Sequence, residues 1–188
     1  MILLLAVIAG LAAGQLRAWL GGRRLHIPDL RIAWLVPIAY LPQLVAFQLP
    51  ATRRLPDPIV AGALISSLLL LLVFAWANRT QPGGWLLGSG LLLNLGVILL
   101  NGGLMPISPE NVIRIAPNAP ANSWEVGQRM WTSKDIILPE AEMRLPWLSD
   151  RFLLPDWIPY HVAFSFGDIL IALGAFWLLW SLGGPIKS

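Results

Sequence analysis

Ile59 to Ala77 reads IVAGALISSLLLLLVFAWA, a run of nineteen residues without a charged side chain. A helix of this length covers about 28 Å, close to the roughly 30 Å of hydrocarbon in a bilayer. Four further apolar runs occupy residues 2–20, 32–49, 85–104 and 162–182. The sequence therefore predicts an all-α polytopic membrane protein, a bundle of five transmembrane helices in a single membrane domain that covers residues 1–188.

The composition agrees with this class of protein. Hydrophobic residues make up 56% of the 188 residues and charged residues 12%, whereas a soluble domain carries roughly 25% charged residues. The absence of cysteine excludes disulfides, thiolate nucleophiles and Cys-ligated metals, and two histidines argue against a His-rich metal site. We expect neither a cofactor nor a metal.

Basic residues are distributed unevenly between the two sides of the predicted bundle. The cytoplasmic side, as predicted, carries six of them: Arg17, Arg23, Arg24, Arg31, Arg79 and Lys187. The opposite side has Arg53 and Arg54, a pair that argues weakly against this orientation, and a segment of residues 101–161 with five basic and seven acidic residues. The positive-inside rule then places the N-terminus outside and the C-terminus in the cytoplasm. Topology explains the arginines better than nucleic-acid binding does, so we expect a lipid bilayer as the partner.

The order of charge also bears on the first apolar run. Its arginines follow the run rather than precede it, which favours a retained helix over a cleaved signal peptide. Tryptophans at the predicted cytoplasmic helix ends match the aromatic belt of membrane proteins: Trp19, Trp34, Trp76, Trp85, Trp177 and Trp180.

Residues 105–160 form the long stretch between the fourth and fifth runs, and their prolines exclude a continuous helix. We expect an irregular extracytoplasmic segment, with a short helix that starts at residues 122–125 and carries Trp124 and Trp131 on one face. The segment has four scattered tryptophans: Trp124, Trp131, Trp147 and Trp157. They suit either a lid or a docking surface for other membrane subunits, or simple anchoring in the headgroup region.

Polar residues of four apolar runs fall in one layer of the predicted outer leaflet. Asp168 is the one acid inside a run, and its expected companions are Asn94, Gln43, Ser66 and Ser67. In one interpretation Asp168 accepts a proton or binds a cation in an outward-facing pocket, with the amides and hydroxyls orienting the ligand. In the other, these groups join the helices by hydrogen bonds, with Asp168 paired to Asn94 or protonated.

Two glycine-containing segments flank this layer. Asn101, Gly102 and Gly103 before Pro106 predict a left-handed helix end, although bare glycine backbone would also let a ligand approach Asp168. Gly167, next to Asp168, predicts a close contact between helices.

The segment Asn94 to Pro106, which reads NLGVILLNGGLMP, and the Gly167-Asp168-Ile169-Leu170 stretch resemble a family of bacterial membrane proteins. This family is catalogued as domain of unknown function 5317. The resemblance extends over nearly the whole chain and implies a location in the bacterial cytoplasmic membrane. It implies no activity, so no catalytic residue carries over.

The chain lacks the motifs that several enzyme classes require. The chain has no H-E-x-x-H zinc site, no P-loop and no dinucleotide-binding glycine motif. Three functions stay open: an accessory or structural subunit that docks on a larger membrane complex, a small-molecule or lipid binder or transporter that uses Asp168, and a membrane enzyme that acts on a lipid-linked substrate. The sequence favours the first, because it contains no catalytic set.

Overall fold

Five apolar helices run through the part of the chain that the computed structural model describes, which is residues 2–26, 29–49, 55–120, 123–155, 157–158 and 160–185. The chain is mainly helical, as expected. The apolar helices are α1 (Ile2–Leu20), α2 (Leu35–Gln43, continued by a π-helical turn at Leu44–Gln48), α3 (Asp57–Ala77), α4 (Gly84–Leu100) and α6 (Phe166–Ser181). Arg53, Arg54, Asn122 and Lys187 lie outside the described residues.

Three helix ends differ from the apolar runs. α2 begins at Leu35 rather than at residue 32, because Ile32 takes a positive φ of 48° in the preceding turn. α4 ends at Leu100 rather than at residue 104, because Gly102 and Gly103 have φ values of 76° and 90°. The start of α6 shifts from residue 162 to Phe166, since Ala163 and Phe164 form a strand.

Two of these helices are long and apolar enough to cross a membrane, Ile2–Leu20 and Asp57–Ala77. Three shorter apolar helices accompany them, at Leu35–Gln48, Gly84–Leu100 and Phe166–Ser181. Pro42 lies just before the π-helical turn of α2. Since proline lacks the N–H of the helical ladder, a wider turn at this point accommodates it.

α6 packs between α1 and α4, and α3 packs between α4 and α2. Glycines allow the backbones of α4 and α6 to approach: a Cβ at Gly90 would lie 2.5 Å from the carbonyl oxygen of Gly167, and one at Gly83 would collide with the carbonyl of Gly174. A buried aliphatic cluster fills the space between α3 and α4, including Leu64, Leu68, Leu91, Leu95 and Ile98.

The loops meet at two opposite ends of these helices. At one end, the side-chain amide of Asn78 bonds both the backbone N–H and the carbonyl of Arg31, and the N–H of His26 donates to the carbonyl of Leu182. At the other end, Arg129 forms a salt bridge of 2.9 Å with Asp57. The arginine-rich loop and the segment that follows α4 therefore lie at different ends.

The segment between α4 and α6 contains more regular structure than expected. Strand β1 (Met105–Ile107) pairs in parallel with β2 (Asp135–Ile137), helix α5 spans Pro109–Ile115, and β3 (Phe152–Leu153) pairs with β4 (Ala163–Phe164). A second small core forms here from Ile107, Val112, Met130 and Ile137.

The prediction that a short helix starts at residues 122–125 is wrong. Residues 123–131 are irregular, with short turns and a β-bridge at Arg129. The helix of this segment lies earlier, where Ser108 caps α5 by accepting a hydrogen bond from the N–H of Asn111. Pro109 at the first helical position reinforces that start. Serine followed by proline was the local signal for this helix.

Candidate functional site

A cavity of about 460 Å³ lies among all five apolar helices at the end that carries the β-strands. Its wall is mostly aliphatic, with Leu64, Leu68, Leu71, Leu91, Ile98 and Ile171. Polar side chains from three helices and from the segment after α4 also line it: Tyr40, Gln43, Asn94, Lys134 and Asp168. The volume falls in the range of small-molecule sites, which are mostly apolar with a few placed polar groups.

Asp168 and Asn94 are directly bonded at this cavity. The Nδ2 of Asn94 donates to Oδ1 of Asp168 at 2.8 Å, and the hydroxyl of Ser165 donates to Oδ1 of Asn94 at 2.9 Å. The backbone N–H of Ser165 donates to Oδ2 of Asp168 at 3.1 Å. Asp168 is thus hydrogen-bonded to Asn94, as one interpretation of the sequence expected. The same carboxylate also lines a cavity.

Asp168 lies in the first turn of α6 rather than two turns into it. Ser165 is the N-cap, and Asp168 closes a capping box in which each side chain accepts from the other's backbone N–H. This arrangement places a carboxylate at the positive end of the helix dipole, where negative charge is stabilised. Ser165 therefore serves as a helix cap.

Gly167 makes room for Asn94. A Cβ at this position would overlap Oδ1 of Asn94, so only glycine lets the amide reach across to α6. The close helix contact expected at Gly167 is present.

The two serines of α3 have different surroundings. Ser67 is buried and accepts a 2.6 Å hydrogen bond from Nε2 of Gln43, which joins α2 to α3 beside the cavity. Ser66 instead bonds the carbonyl of Ala63 in its own helix and is exposed. Its expected place in the polar layer is wrong, because neighbouring residues of a helix point about 100° apart.

Asn101, Gly102 and Gly103 end α4 and attach the next segment. The side chain of Asn101 donates to the carbonyls of Val97 and Arg144 and accepts from the N–H of Arg144. Both glycines are left-handed, as expected of a helix end, and Gly103 packs against Ala61 of α3. Capping and chain packing therefore account for these residues.

Lys134 is the site residue that the sequence did not reveal. Its Nζ lies 2.5 Å from Oδ2 of Asp150 and 3.3 Å from Oδ1 of Asp135. The carboxylate of Asp150 is only 2% exposed, while Lys134 keeps 34% of its side chain exposed and lines the cavity. Lys134, one partner of this charged pair, thus faces the same space as Asp168.

The backbone explains how Lys134 arrives there. Met105 follows the glycine pair, lines the cavity, and donates its N–H to the carbonyl of Lys134 at 3.0 Å. The parallel pairing of β1 with β2, which starts at Met105 and Asp135, continues this contact. The end of α4 therefore positions Lys134 through the sheet.

The charges of the cluster act on Lys134 and Asp150. Burial lowers the pKa of Lys134, but the carboxylates of Asp150, Asp135 and Asp168 outweigh it and raise the pKa above the ordinary value of lysine, so the ammonium is held charged. Burial raises the pKa of Asp150, opposed by Lys134. Oδ1 of Asp150 is buried without a hydrogen-bond partner among the described residues, which agrees with that direction.

A second cavity of about 310 Å³ adjoins the first. Gln43 and Lys134 line both, and the outer one is completed by residues of the π-helical turn and by residues 130–133. Trp131, in this wall, has a positive φ of 49°. The two shared side chains therefore stand between an outer vestibule and the inner cavity.

The four tryptophans of the segment between α4 and α6 differ in their surroundings. Trp124 packs on the second small core. Trp131 donates its indole N–H to the carbonyl of Ser123, and Trp147 and Trp157 are 58% and 82% exposed. Within the described residues no cluster of His, Cys, Asp or Glu could hold a metal ion.

Sequence comparison adds one finding to this geometry. No curated protein and no solved structure matches the chain. Residues 28–180, from before α2 almost to the end of α6, match the sequence model described as family of unknown function, DUF5317. The chain belongs to the DUF5317 family.

Proposed function

We propose that this protein is a polytopic membrane protein whose five apolar helices all cross the bilayer. All five expose large apolar side chains on their outer faces, for example Leu4 in α1, Leu41 in α2, Val73 in α3, Leu92 in α4 and Leu173 in α6. Soluble monomers rarely expose apolar patches of this extent. The shorter helices fit a bilayer that they cross with little tilt.

Aromatic and basic residues support an orientation with the N-terminus outside. Trp19, Trp34, Trp76 and Trp85 are all more than 60% exposed and flank the arginine-rich end. Such a ring, next to the excess of arginine, is typical of a cytoplasmic membrane interface. The β-strands and the cavity then belong to the extracytoplasmic side.

The cysteine-free chain allows a direct topology test. Thr80, in the turn between α3 and α4, and Ala141, in the outer segment, are both exposed. In intact cells we expect a membrane-impermeant maleimide to label Ala141→Cys but not Thr80→Cys, which should react only after permeabilisation. The opposite pattern would reverse the orientation, and labelling of both in intact cells would contradict the five-span topology.

Within this topology, we infer that the protein binds an amphipathic small molecule in its outward-facing cavity. One observation carries the proposal: polar groups of α2, α4 and α6, together with Lys134 just before β2, converge on a cavity whose remaining wall is mostly aliphatic. An aliphatic wall suits an acyl or alkyl chain, and the convergent polar groups suit a head group.

The balance of charge selects the kind of head group. Three carboxylates, of Asp135, Asp150 and Asp168, act on one ammonium, that of Lys134. A neutral or cationic head group would therefore bind better than an anionic one. Asp168 is the group expected to contact it, with Asn94 orienting that carboxylate.

Asp168→Asn tests this role without changing the size of the side chain. We expect the variant to fold, because the amide of Asn94 can turn over to restore the hydrogen bonds, and to lose about tenfold in affinity for dodecylamine. The measurement is native mass spectrometry of the full chain in non-ionic detergent, with dodecylamine, dodecanol and dodecanoate as probes. Ser66→Ala, whose hydroxyl bonds its own helix, is the matched control. A preference for dodecanoate, or equal dodecylamine binding by Asp168→Asn, would refute the proposal.

A second candidate function is that of a subunit docked on a larger membrane complex. The exposed indoles of Trp147 and Trp157 on the outer segment favour it, since tryptophan is enriched at protein interfaces. Extraction in mild detergent distinguishes the two: a docked subunit copurifies with its partner, and Trp147→Ala with Trp157→Ala should release it. Migration of the wild type at its own 20.6 kDa plus detergent would refute docking.

A further inference from the structure

A third concave surface lies between α3 and α4, at the end opposite the outer segment. This groove has a volume of about 480 Å³. Its floor and walls are aliphatic, with Leu69, Leu72, Val73 and Leu92, and Arg79 lies at its rim. It shares no lining residue with the cavity around Asp168.

Small residues open the groove. A Cβ added at Gly88 would contact only the Cβ of Ala75, at 3.8 Å, so the facing helices leave space there that larger side chains could fill. Ser89 and Gly84 continue the low wall on α4. The groove is therefore a gap in the helix packing that is open to the surroundings of the bundle.

The rim combines a cation with aromatic rings. The guanidinium of Arg79 lies 4.6 Å from the ring centroid of Trp76, and Nη1 donates to the carbonyl of Trp76 at 3.0 Å. Trp85 packs edge-on to Trp76 with centroids 6.2 Å apart. Among the described residues this is the one hydrogen bond of the guanidinium, which has five N–H donors, so donors stay available to an anion.

We propose that this groove binds an anionic phospholipid of the cytoplasmic leaflet, with an acyl chain along the aliphatic wall and the phosphate on Arg79. An apolar trough that ends in a guanidinium beside interfacial indoles is complementary to a lipid tail joined to an anionic head group. A transmembrane helix of a partner would fill the trough without using the cation, and a soluble anion would use the cation without the trough. The inference rests on the proposed membrane location but is independent of the ligand of the Asp168 cavity.

The experiment compares phosphatidylglycerol and phosphatidylcholine with identical acyl chains, bound to the purified full chain and counted by native mass spectrometry. We expect wild type to prefer phosphatidylglycerol, and Arg79→Gln to reduce that preference about fivefold. Phosphatidylcholine binding should fall less, because its choline cation offsets the charge of its phosphate. Gly88→Leu, which fills the trough, should reduce the binding of both lipids. Gly88→Ala, with a single 3.8 Å contact, provides a milder filling variant should the leucine impair folding.

Arg17→Gln is the matched control. Arg17 also stacks on an indole, that of Trp180, at 4.4 Å, but it does not line the groove. Equal losses from Arg17→Gln and Arg79→Gln would indicate general surface attraction and overturn the proposal, as would unchanged lipid binding in both Gly88 variants. Capture of a polypeptide that both Gly88 variants release would also overturn it. The labelling of Thr80→Cys tests the membrane location separately, so the two failures are distinguishable.

Discussion

Lys134→Met should lower the free energy of unfolding by about 3 kcal/mol, the lower end of the usual cost of removing one partner from a buried ion pair. Asp150 is 2% exposed and accepts its ion-pair hydrogen bond from Lys134 at 2.5 Å. Without the ammonium, this carboxylate would stay buried and uncompensated. Because Lys134 itself keeps a third of its side chain exposed, at 34%, the upper end of the range is not expected. Chemical or thermal unfolding in detergent measures the effect.

Two variants separate this effect from the simple loss of a surface charge. Arg151→Gln removes an exposed ion pair with Glu140 at 4.0 Å and should cost less than about 1 kcal/mol. The double variant Lys134→Met/Asp150→Asn should recover part of the stability lost in the single variant, since the buried charge is gone. If the single and double variants were equally unstable, the ion pair would not be the cause.

The cost of Lys134→Met should also depend on pH. Burial raises the pKa of Asp150 in the folded state, and removal of Lys134 takes away the charge that opposes this rise. When the pKa of a group is higher in the folded than in the unfolded state, its contribution to stability is fully present below the unfolded-state pKa. That contribution is lost as pH increases through the folded-state pKa. The variant should therefore approach wild-type stability as pH falls toward about 4, the ordinary pKa of aspartate. A loss that did not vary with pH would contradict this account.

Gly167→Ala should destabilise the protein by about 2 kcal/mol, because the new methyl group would overlap Oδ1 of Asn94. To relieve the overlap, Asn94 must leave the positions in which it accepts from Ser165 and donates to Asp168. Both hydrogen bonds between α4 and α6 would then be lost. The same variant should weaken dodecylamine binding, since Asp168 loses its orienting partner.

Gly96→Ala is the matched control in the same helix pair. A Cβ at Gly96 would meet nothing within 4 Å, and the residue lies in the interior of α4. Alanine should therefore leave stability unchanged or raise it by up to about 1 kcal/mol through its higher helix propensity. Comparable destabilisation by both substitutions would show that an added methyl group destabilises these helices whatever it contacts, and would contradict the explanation by the overlap with Asn94.

The helices were predictable because their signal is local. Runs of mostly apolar residues specify α1 and α3 almost to the residue, and the glycine pair after Asn101 specifies the end of α4. Residue counts along the helices also predicted that Asp168 and Asn94 lie close together. They do so although Asp168 lies in the first turn of α6 rather than two turns into it. The start of α6 was harder to predict, since the apolar residues 162–164 suit a strand as well as a helix.

The pairing of Ser67, rather than Ser66, with Gln43 required the rotation of α3 about its axis, which packing decides. Hydropathy carries little of that information in a helix that is apolar on all sides. The ion pair between Lys134 and Asp150 could not be predicted from the sequence, because nothing in the residues around either position identifies the partner.

The amino-acid sequence by itself determined which segments are apolar helices, where glycine ends α4, and that one carboxyl lies among them with Asn94 close by. Tertiary structure alone decided that Lys134 joins this carboxyl at the cavity. The position of Lys134 at the cavity depends on the parallel pairing of β1 with β2 and on its ion pair with the buried Asp150. Helix formation and hydropathy arise from residues near each other in the chain, whereas a buried ion pair arises from the packing of distant segments.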